Sequence, residues 1–304
     1  MTQQLNLANS VIVQKMIADE LQNCPSIEYK IIEKIAKGSY GQVYKSVTGW
    51  TKKSVAIKVM TKRSTNENEI SIINSLLRFK KSKKYFPRYY HIFEQDLKYY
   101  VVMEYLKGFH YNKSYFDEYI YNLKDCLQLV KRILKIINFM HKNKFIINDF
   151  KGDNIIIDYT MRPKMIDFGL VNYMNLANDA DSQKGTPTFL PPESFSGIFS
   201  GIKKDIWMFA ASTYEFLIGQ YPIDDLICEY KDENIRKFKF NTQDLPVTLE
   251  KMEMLFFTKL NKKFDHDKRL IKLWNILKQC LNEKFEKRPS VDKILRYVSN
   301  GLSL

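Results

Sequence analysis

Cysteine is scarce in this 304-residue chain: Cys24, Cys126, Cys228 and Cys280 stand singly and far apart. With no C-x-x-C pair there is no sulfur framework for zinc or a redox disulfide, and four reduced thiols are expected. No uncharged apolar run reaches the roughly 18 residues of a membrane span, so none is expected. The opening stretch MTQQLNLANSVIVQKM lacks the basic leader, apolar block and small-residue cleavage site of a secretory signal. A cytoplasmic protein, with nuclear access open, is the expectation. Internal repeats, low-complexity tracts and Pro/Gly/Ser linkers are also missing, which favours one compact unit. Acidic residues are outnumbered, 34 against 48 Lys and Arg, leaving a net charge of +14. That balance suits acidic partners, but the bases are scattered, and the densest run, RFKKSKK at 78–84, lacks the aromatic interleaving of a single-strand groove. Solvated surface charge is therefore expected, with no nucleic-acid partner.

What is present is the balance of a soluble globular protein, 45% hydrophobic and 27% charged, in a chain long enough for one large domain or two lobes. Between 29 and 105 the β-branched runs YKIIEKIA, QVYKSVT, SVAIKVM and YYVVMEYL read as strands. The segment NENEISIINSLLRF, with Ile70, Ile73, Leu76 and Leu77 on one face, reads as a helix among them. After 115 the pattern is mostly helical, clearest in DCLQLVKRILKIINFMH, DIWMFAASTYEFLIG and RLIKLWNILKQCL. An α+β chain follows, with a small β-rich N-lobe over about 29–105 and a larger, mainly helical C-lobe over about 106–298. Residues 1–28 form an N-terminal extension, in which Val13, Met16, Ile17 and Leu21 behind Ser10 suggest a short helix, and 299–304 form a tail. Nothing in the sequence fixes an oligomeric state, and a monomer is the default.

The chemistry concentrates in a few interruptions of apolar runs. In IAKGSYGQVYK, residues 35–45, Gly38 and Gly41 let backbone approach a ligand, and exposed amides in such a turn suit phosphate oxygens. A glycine-bearing hairpin turn is at least as common a reading. Lys58 ends the strand run VAIK, where a buried ammonium needs a counter-ion, and Glu69 on the following helical segment is the natural one. The stretch FIINDFKGDNIIID, 145–158, sets Asp149, Lys151 and Asn154 between two apolar runs, and MIDFG then ends another with Asp167. Oxygen ligands from Asn154 and Asp167 suit a hard cation such as Mg²⁺. Asp149 is placed to accept a hydroxyl proton while Lys151 neutralises phosphate charge. The set points to phosphoryl transfer.

In this order the segments resemble the eukaryotic-type protein kinases over roughly residues 29–298. GSYGQV resembles the glycine-rich loop, VAIK the strand of the phosphate-pairing lysine, NDFKGDN the catalytic loop and IDFGL the metal-binding motif. GTPTFLPPES resembles the substrate-binding loop, DIWMFA the central helix of the large lobe, and KRPS supplies Arg288. The resemblance implies a bilobal kinase-like fold and an ATP- and Mg²⁺-dependent transferase acting on protein substrates. Asp149 would orient and deprotonate the substrate hydroxyl, aided by Lys151. Lys58 would hold the α- and β-phosphates, with Glu69 holding Lys58, and Asn154 and Asp167 would hold the metal. Ile35, Ala36, Gly38 and Gly41 would cover the nucleotide. Val43, Ala56 and Ile156 would sandwich the adenine, with Met103, Glu104 and Leu106 at the hinge. Glu193 and Arg288 would form an ion pair, and Asp205 would be structural. Lys151 together with Thr186 is the serine/threonine pattern. Glu215 matches a glutamate that attracts basic substrate residues in some relatives, although a structural role is the better reading.

Three departures stand out. The first loop glycine of the family is Ala36 here, and the usual His-Arg before the catalytic aspartate is Ile147-Asn148. Asn148 cannot offer a charge to a phosphorylated activation loop, so activity is expected to depend little on Ser182, which occupies a common phosphosite position. Lys58 and Glu69 are only eleven positions apart, which leaves Glu67 as a weaker partner. The principal alternative is a catalytically weak pseudokinase acting as a scaffold. Two tempting segments carry plainer readings: Trp207–Leu217 as a buried core helix rather than a membrane helix, and FFTKLNKKFDHDKR, around His266, as an exposed loop rather than a metal site.

Overall fold

The computed structural model describes residues 4–6, 11–14, 28–38, 41–49, 51–221, 226–232 and 235–301, in two compact units, Met1–Lys107 and Gly108–Leu304. The first unit contains strands β1 (Gln4–Asn6), β2 (Val11–Gln14), β3 (Glu28–Gly38), β4 (Gly41–Thr48) and β5 (Ser54–Thr61). Helix α1 (Ser64–Leu77) follows, then β6 (Tyr89–Gln95) and β7 (Lys98–Glu104). They form one antiparallel sheet in the order β1-β3-β4-β5-β7-β6-β2. Its core is Tyr29, Val55, Ile57, Tyr90, Phe93, Tyr100 and Val102, with Phe93 stacked on Tyr100. Such β-branched and aromatic cross-strand pairs are the ordinary stabilising unit of a sheet. The register sets Lys58 opposite Val43 on one side and Val101 on the other, and Ala56 opposite Met103.

The expected N-terminal helix is not what forms where the chain is described. Val11–Gln14 is a strand paired with β6, as its run of β-branched residues favours, and Gln4–Asn6 pairs with β3. Met16, Ile17 and Leu21 lie outside the described residues, as do Ser39 and Tyr40 of the glycine-bearing turn.

The second unit opens with β8 (Gly108–His110), α2 (Lys113–Tyr119), α3 (Leu123–Lys142), β9 (Phe145–Ile146), β10 (Ile155–Asp158), β11 (Pro163–Met165) and β12 (Asn172–Tyr173). Then come α4 (Pro192–Phe195), α5 (Ile202–Ile218), β13 (Ile227–Asp232), β14 (Ile235–Phe240), α6 (Leu245–Phe264), α7 (Arg269–Cys280) and α8 (Val291–Gly301). The strands make three small antiparallel sheets, β11-β10-β8, β12-β9 and β13-β14. α3 starts at Asn122, whose side chain accepts from the Asp125 amide, and it buries Val130, Ile133, Leu134, Ile137 and Met140 along one stripe. α5 is buried nearly all round, Trp207 and Leu217 included, and ends at Gly219, whose φ of 78° is the left-handed stop that glycine adopts without strain. No described helix is long and apolar enough to cross a membrane.

The FFTKLNKKFDHDKR segment departs from expectation over most of its length. Met252, Phe256, Leu260 and Phe264 recur every four residues on the buried face of α6, so the helix continues to Phe264 and only the turn that follows is a loop. His266 is exposed in that turn, where Asp267 binds Arg269 at 2.6 Å. Cys126 and Cys280 are buried and unpaired, and burial pushes both thiols up to about 12. Cys24 and the side chain of Cys228 lie outside what is described.

Candidate active site

In the first unit the pleat of β5 turns Lys58 inward, leaving it 7% exposed, and α1 carries Glu69 to meet it at 1%. Lys58 Nζ donates to Glu69 Oε1 at 2.6 Å and Oε2 at 2.8 Å. Both oxygens of one carboxylate thus compensate a charge that burial would otherwise make very costly. Glu67, the weaker candidate, accepts from the Tyr99 hydroxyl instead. Elsewhere in the first unit Val43 and Leu106 are half-buried, Ala56 and Met103 are buried, and Ile35 keeps 43% of its surface exposed. The Glu104 amide donates to the Arg88 carbonyl, and the Glu104 carboxylate accepts from the Arg88 amide, which fixes the end of β7. Gly41 is required by proximity, because a Cβ there would lie 2.4 Å from the Val59 carbonyl oxygen. Ala36 and Gly38 lie at the exposed end of β3.

In the second unit the polar turn after β9 draws the candidate residues Asp149, Lys151 and Asn154 together with Thr186. Asn154 Nδ2 donates to the Asp149 backbone carbonyl at 2.9 Å and to its carboxylate at 3.2 Å. The Thr186 amide and hydroxyl both donate to Asp149 Oδ1, at 2.9 and 2.8 Å, and Lys151 Nζ donates to the Thr186 hydroxyl at 2.7 Å. Lys151 Nζ also lies 3.1 Å from Asp149 Oδ2. The carboxylate is half-buried and held from three sides. Gly185 makes this closeness possible: its φ is 123°, and a Cβ would stand 2.5 Å from the Asn148 carbonyl oxygen. Asn154 and Asp167 supply only oxygen toward a cation. The Asn154 amide commits its N–H groups to Asp149, leaving its carbonyl as the remaining donor atom, and Asp167 accepts from the Gly169 amide at 3.0 Å. That donor chemistry fits magnesium. Among the described residues no group of three His, Cys, Asp or Glu makes a separate metal site. Ile156 is half-buried in β10.

Asp205, in the first turn of α5 and fully buried, accepts from the Ile147 and Asn148 amides at 2.9 Å each, and His141 Nε2 lies 2.8 Å from it. Asn148, in the left-handed region at φ 63°, suits asparagine, and its side chain donates to the Leu170 carbonyl. Arg288 holds Glu193 through two 2.6 Å bonds while its guanidinium sits over Trp207. Ser182 is buried in a short 3₁₀ turn. Glu215 is half-buried beside Gly152, and burial, then the nearby Asp153, push its carboxyl up to about 7. His141 and Lys204, which prove central to the second unit, were not singled out by sequence reasoning. Their signal was a polar residue at each end of an apolar helical run, which also describes ordinary surface positions.

Comparisons with known proteins identify the family. The family described as "Protein kinase domain" matches residues 29–298. A probable serine/threonine-protein kinase of Dictyostelium discoideum is 28% identical over 91% of this chain and 63% of its own length. An SNF1-related protein kinase catalytic subunit alpha of Arabidopsis thaliana is 28% identical over 65% of this chain and 40% of its own length. A carbon catabolite-derepressing protein kinase of Candida tropicalis is 26% identical over 65% and 32%. The chain thus spans less than two thirds of the length of these relatives. With the family pattern running through both units, from β3 to α8, the chain belongs to the protein kinase domain family.

Proposed function

We propose that the chain is an ATP- and Mg²⁺-dependent serine/threonine protein kinase, transferring the γ-phosphoryl group of ATP to Ser or Thr hydroxyls of protein substrates in the cytoplasm. The observation that carries this reading is Asp149, a half-buried carboxylate gripped by Asn154 and Thr186 with Lys151 at 3.1 Å. A carboxylate so fixed can accept a hydroxyl proton without reorganising, and Lys151 can offset charge on the transferred phosphoryl. Lys58, held by both carboxylate oxygens of Glu69, would bind the α- and β-phosphates. Magnesium, when bound at Asn154 and Asp167, would neutralise phosphate charge. The Lys151–Thr186 contact supports Ser/Thr rather than Tyr specificity, and the names of the relatives agree. A scaffold without catalysis finds no support, because Lys58, Asp149 and Asp167 are all present.

The test is transfer from labelled ATP with Mg²⁺ to a mixture of Ser/Thr protein substrates, beside an Asp149→Ala control. Turnover should fall by about 10² to 10⁴ in the control, the usual share of a positioned general base, with ATP affinity kept. Equal rates in both proteins would remove Asp149 from the mechanism, and nucleotide binding without transfer in the wild type would remove the kinase reading.

A further inference from the structure

A lysine that the proposed chemistry does not use is the most completely buried cation among the described residues of the second unit. Lys204 lies in the first turn of α5, one residue before Asp205, and none of its surface is exposed. Its ammonium donates to the backbone carbonyls of Asp181 at 3.0 Å, Ser182 at 2.9 Å and Lys184 at 2.5 Å. Three protons meet three acceptors, and all three acceptors belong to one short segment of the loop between Leu170 and Leu190. Burial pulls the ammonium down to about 8, partly offset by Asp205, Asp181, Asp149 and Glu193 around it, so it remains charged at neutral pH.

The clamped segment is closed on itself as well. Asp181 accepts from the Asn172 amide group at 2.9 Å and the Asn178 backbone amide at 3.2 Å, with Lys184 Nζ at 2.5 Å, while the Asn178 side chain caps the same turn. Immediately after Lys184 come Gly185, pressed on the Asn148 carbonyl, and Thr186, whose two bonds hold Asp149. On its other side Asp205 takes the amides of Ile147 and Asn148. Adjacent side chains at the start of α5 therefore fix the loop that bears Asp149 and the loop that orients it.

We infer that Lys204 is a positioning residue that holds the activation segment in its working arrangement with no phosphate attached, an inference that rests on the kinase reading above. Ordering such a segment ordinarily uses an added phosphate and an arginine to receive it. Asn148 offers no such charge here, and a built-in ammonium bonded to the segment's own carbonyls supplies the missing constraint. Ser182 fits this role as an unmodified residue. It is 4% exposed, and its carbonyl is one of the three acceptors, so a phosphate there would have to open the turn that Lys204 closes.

The experiment compares full-length wild type, before and after phosphatase treatment, with Lys204→Met. It reads kcat and KM for ATP separately, together with amide hydrogen exchange over 178–190. Phosphatase treatment is expected to leave wild-type turnover unchanged. Lys204→Met should lower kcat by roughly 10- to 10²-fold, the scale of a misplaced catalytic geometry, with KM for ATP unchanged and exchange accelerated across the segment. Unchanged kcat and exchange in Lys204→Met, or activity lost on dephosphorylation, would overturn the inference. If Lys204→Met does not fold, Ser182→Ala decides, since it keeps the lysine and the backbone carbonyl: full turnover is expected, and loss of most of it refutes the clamp. A wild type inactive in both phosphorylation states would instead defeat the kinase reading, and the exchange measurement would still judge the clamp alone.

Discussion

Arg288 shows how much a single side chain can hold. It is 1% exposed, grips both oxygens of Glu193, and also donates to the Asn282 carbonyl at 2.8 Å and the Lys203 carbonyl at 3.2 Å. Removing it strands a buried carboxylate, whose other partner is the Ser200 hydroxyl at 2.5 Å. Arg288→Ala should therefore cost about 3–5 kcal/mol, read as a lowered urea midpoint, because breaking a buried pair leaves its partner uncompensated. A change under about 1 kcal/mol, the value of an exposed pair, would mean that Glu193 finds water in solution. The site residues named from the sequence share this character. Lys58, Asp149, Asn154 and Asp167 each break an apolar run, which is the signal that singled them out as candidates in the sequence. His141 and Lys204 break none: KKD at the head of α5 looks like solvated charge, and only the distant carbonyls of Asp181, Ser182 and Lys184 make Lys204 a buried cation.

Elements were legible where their pattern is local. β3, β4, β5, β7, α1, α3, α5 and α7 follow from β-branched runs or helical spacing. β1 and β2 depend on partners far away in the chain, β3 and β6, so neither was expected, and from Val13 onward local spacing pointed to a helix instead. α6 was obscured by its lysines although its four-residue stripe was present. α5 carries the testable consequence of burying acids on a helix. Glu215 has its carboxyl raised from 4.5 to about 7, chiefly by burial and then by Asp153. Between those values the folded state binds more protons than the unfolded one, so this group's contribution to stability is greatest at low pH and declines as pH rises through that window. Glu215→Gln should accordingly raise Tm at pH 8 by an amount worth on the order of 1–2 kcal/mol, discounted for its partial exposure, and the gain should vanish in acid. A gain independent of pH would show that the side chain, not its charge, is what the site resists.

For the whole molecule the open question is what a net charge of +14 does. Some cations are committed internally, as Lys58, Lys204 and Arg288 are. Others are not, and the largest local excess is at the end of α1 and just beyond it. Arg78, Lys80, Lys81, Lys83, Lys84 and Arg88 are all exposed, and the span between them contains no acid. A polyanion would meet this cluster with counterion release and little else, since nothing there stacks on bases in sequence-selective fashion. Its affinity for duplex DNA should then fall by roughly 10³-fold between about 50 and 200 mM salt, with a log–log slope near −5 for six phosphates neutralised. Replacing Lys80, Lys81, Lys83 and Lys84 with Ser should flatten that slope by about 0.9 per lysine while leaving phosphoryl transfer intact. Titrations by fluorescence anisotropy at several salt concentrations give both numbers. Binding that survives high salt would assign the basic surface a specific nucleic-acid function rather than the solubility that scattered charge provides, and a slope insensitive to those four substitutions would place polyanion binding elsewhere on the molecule.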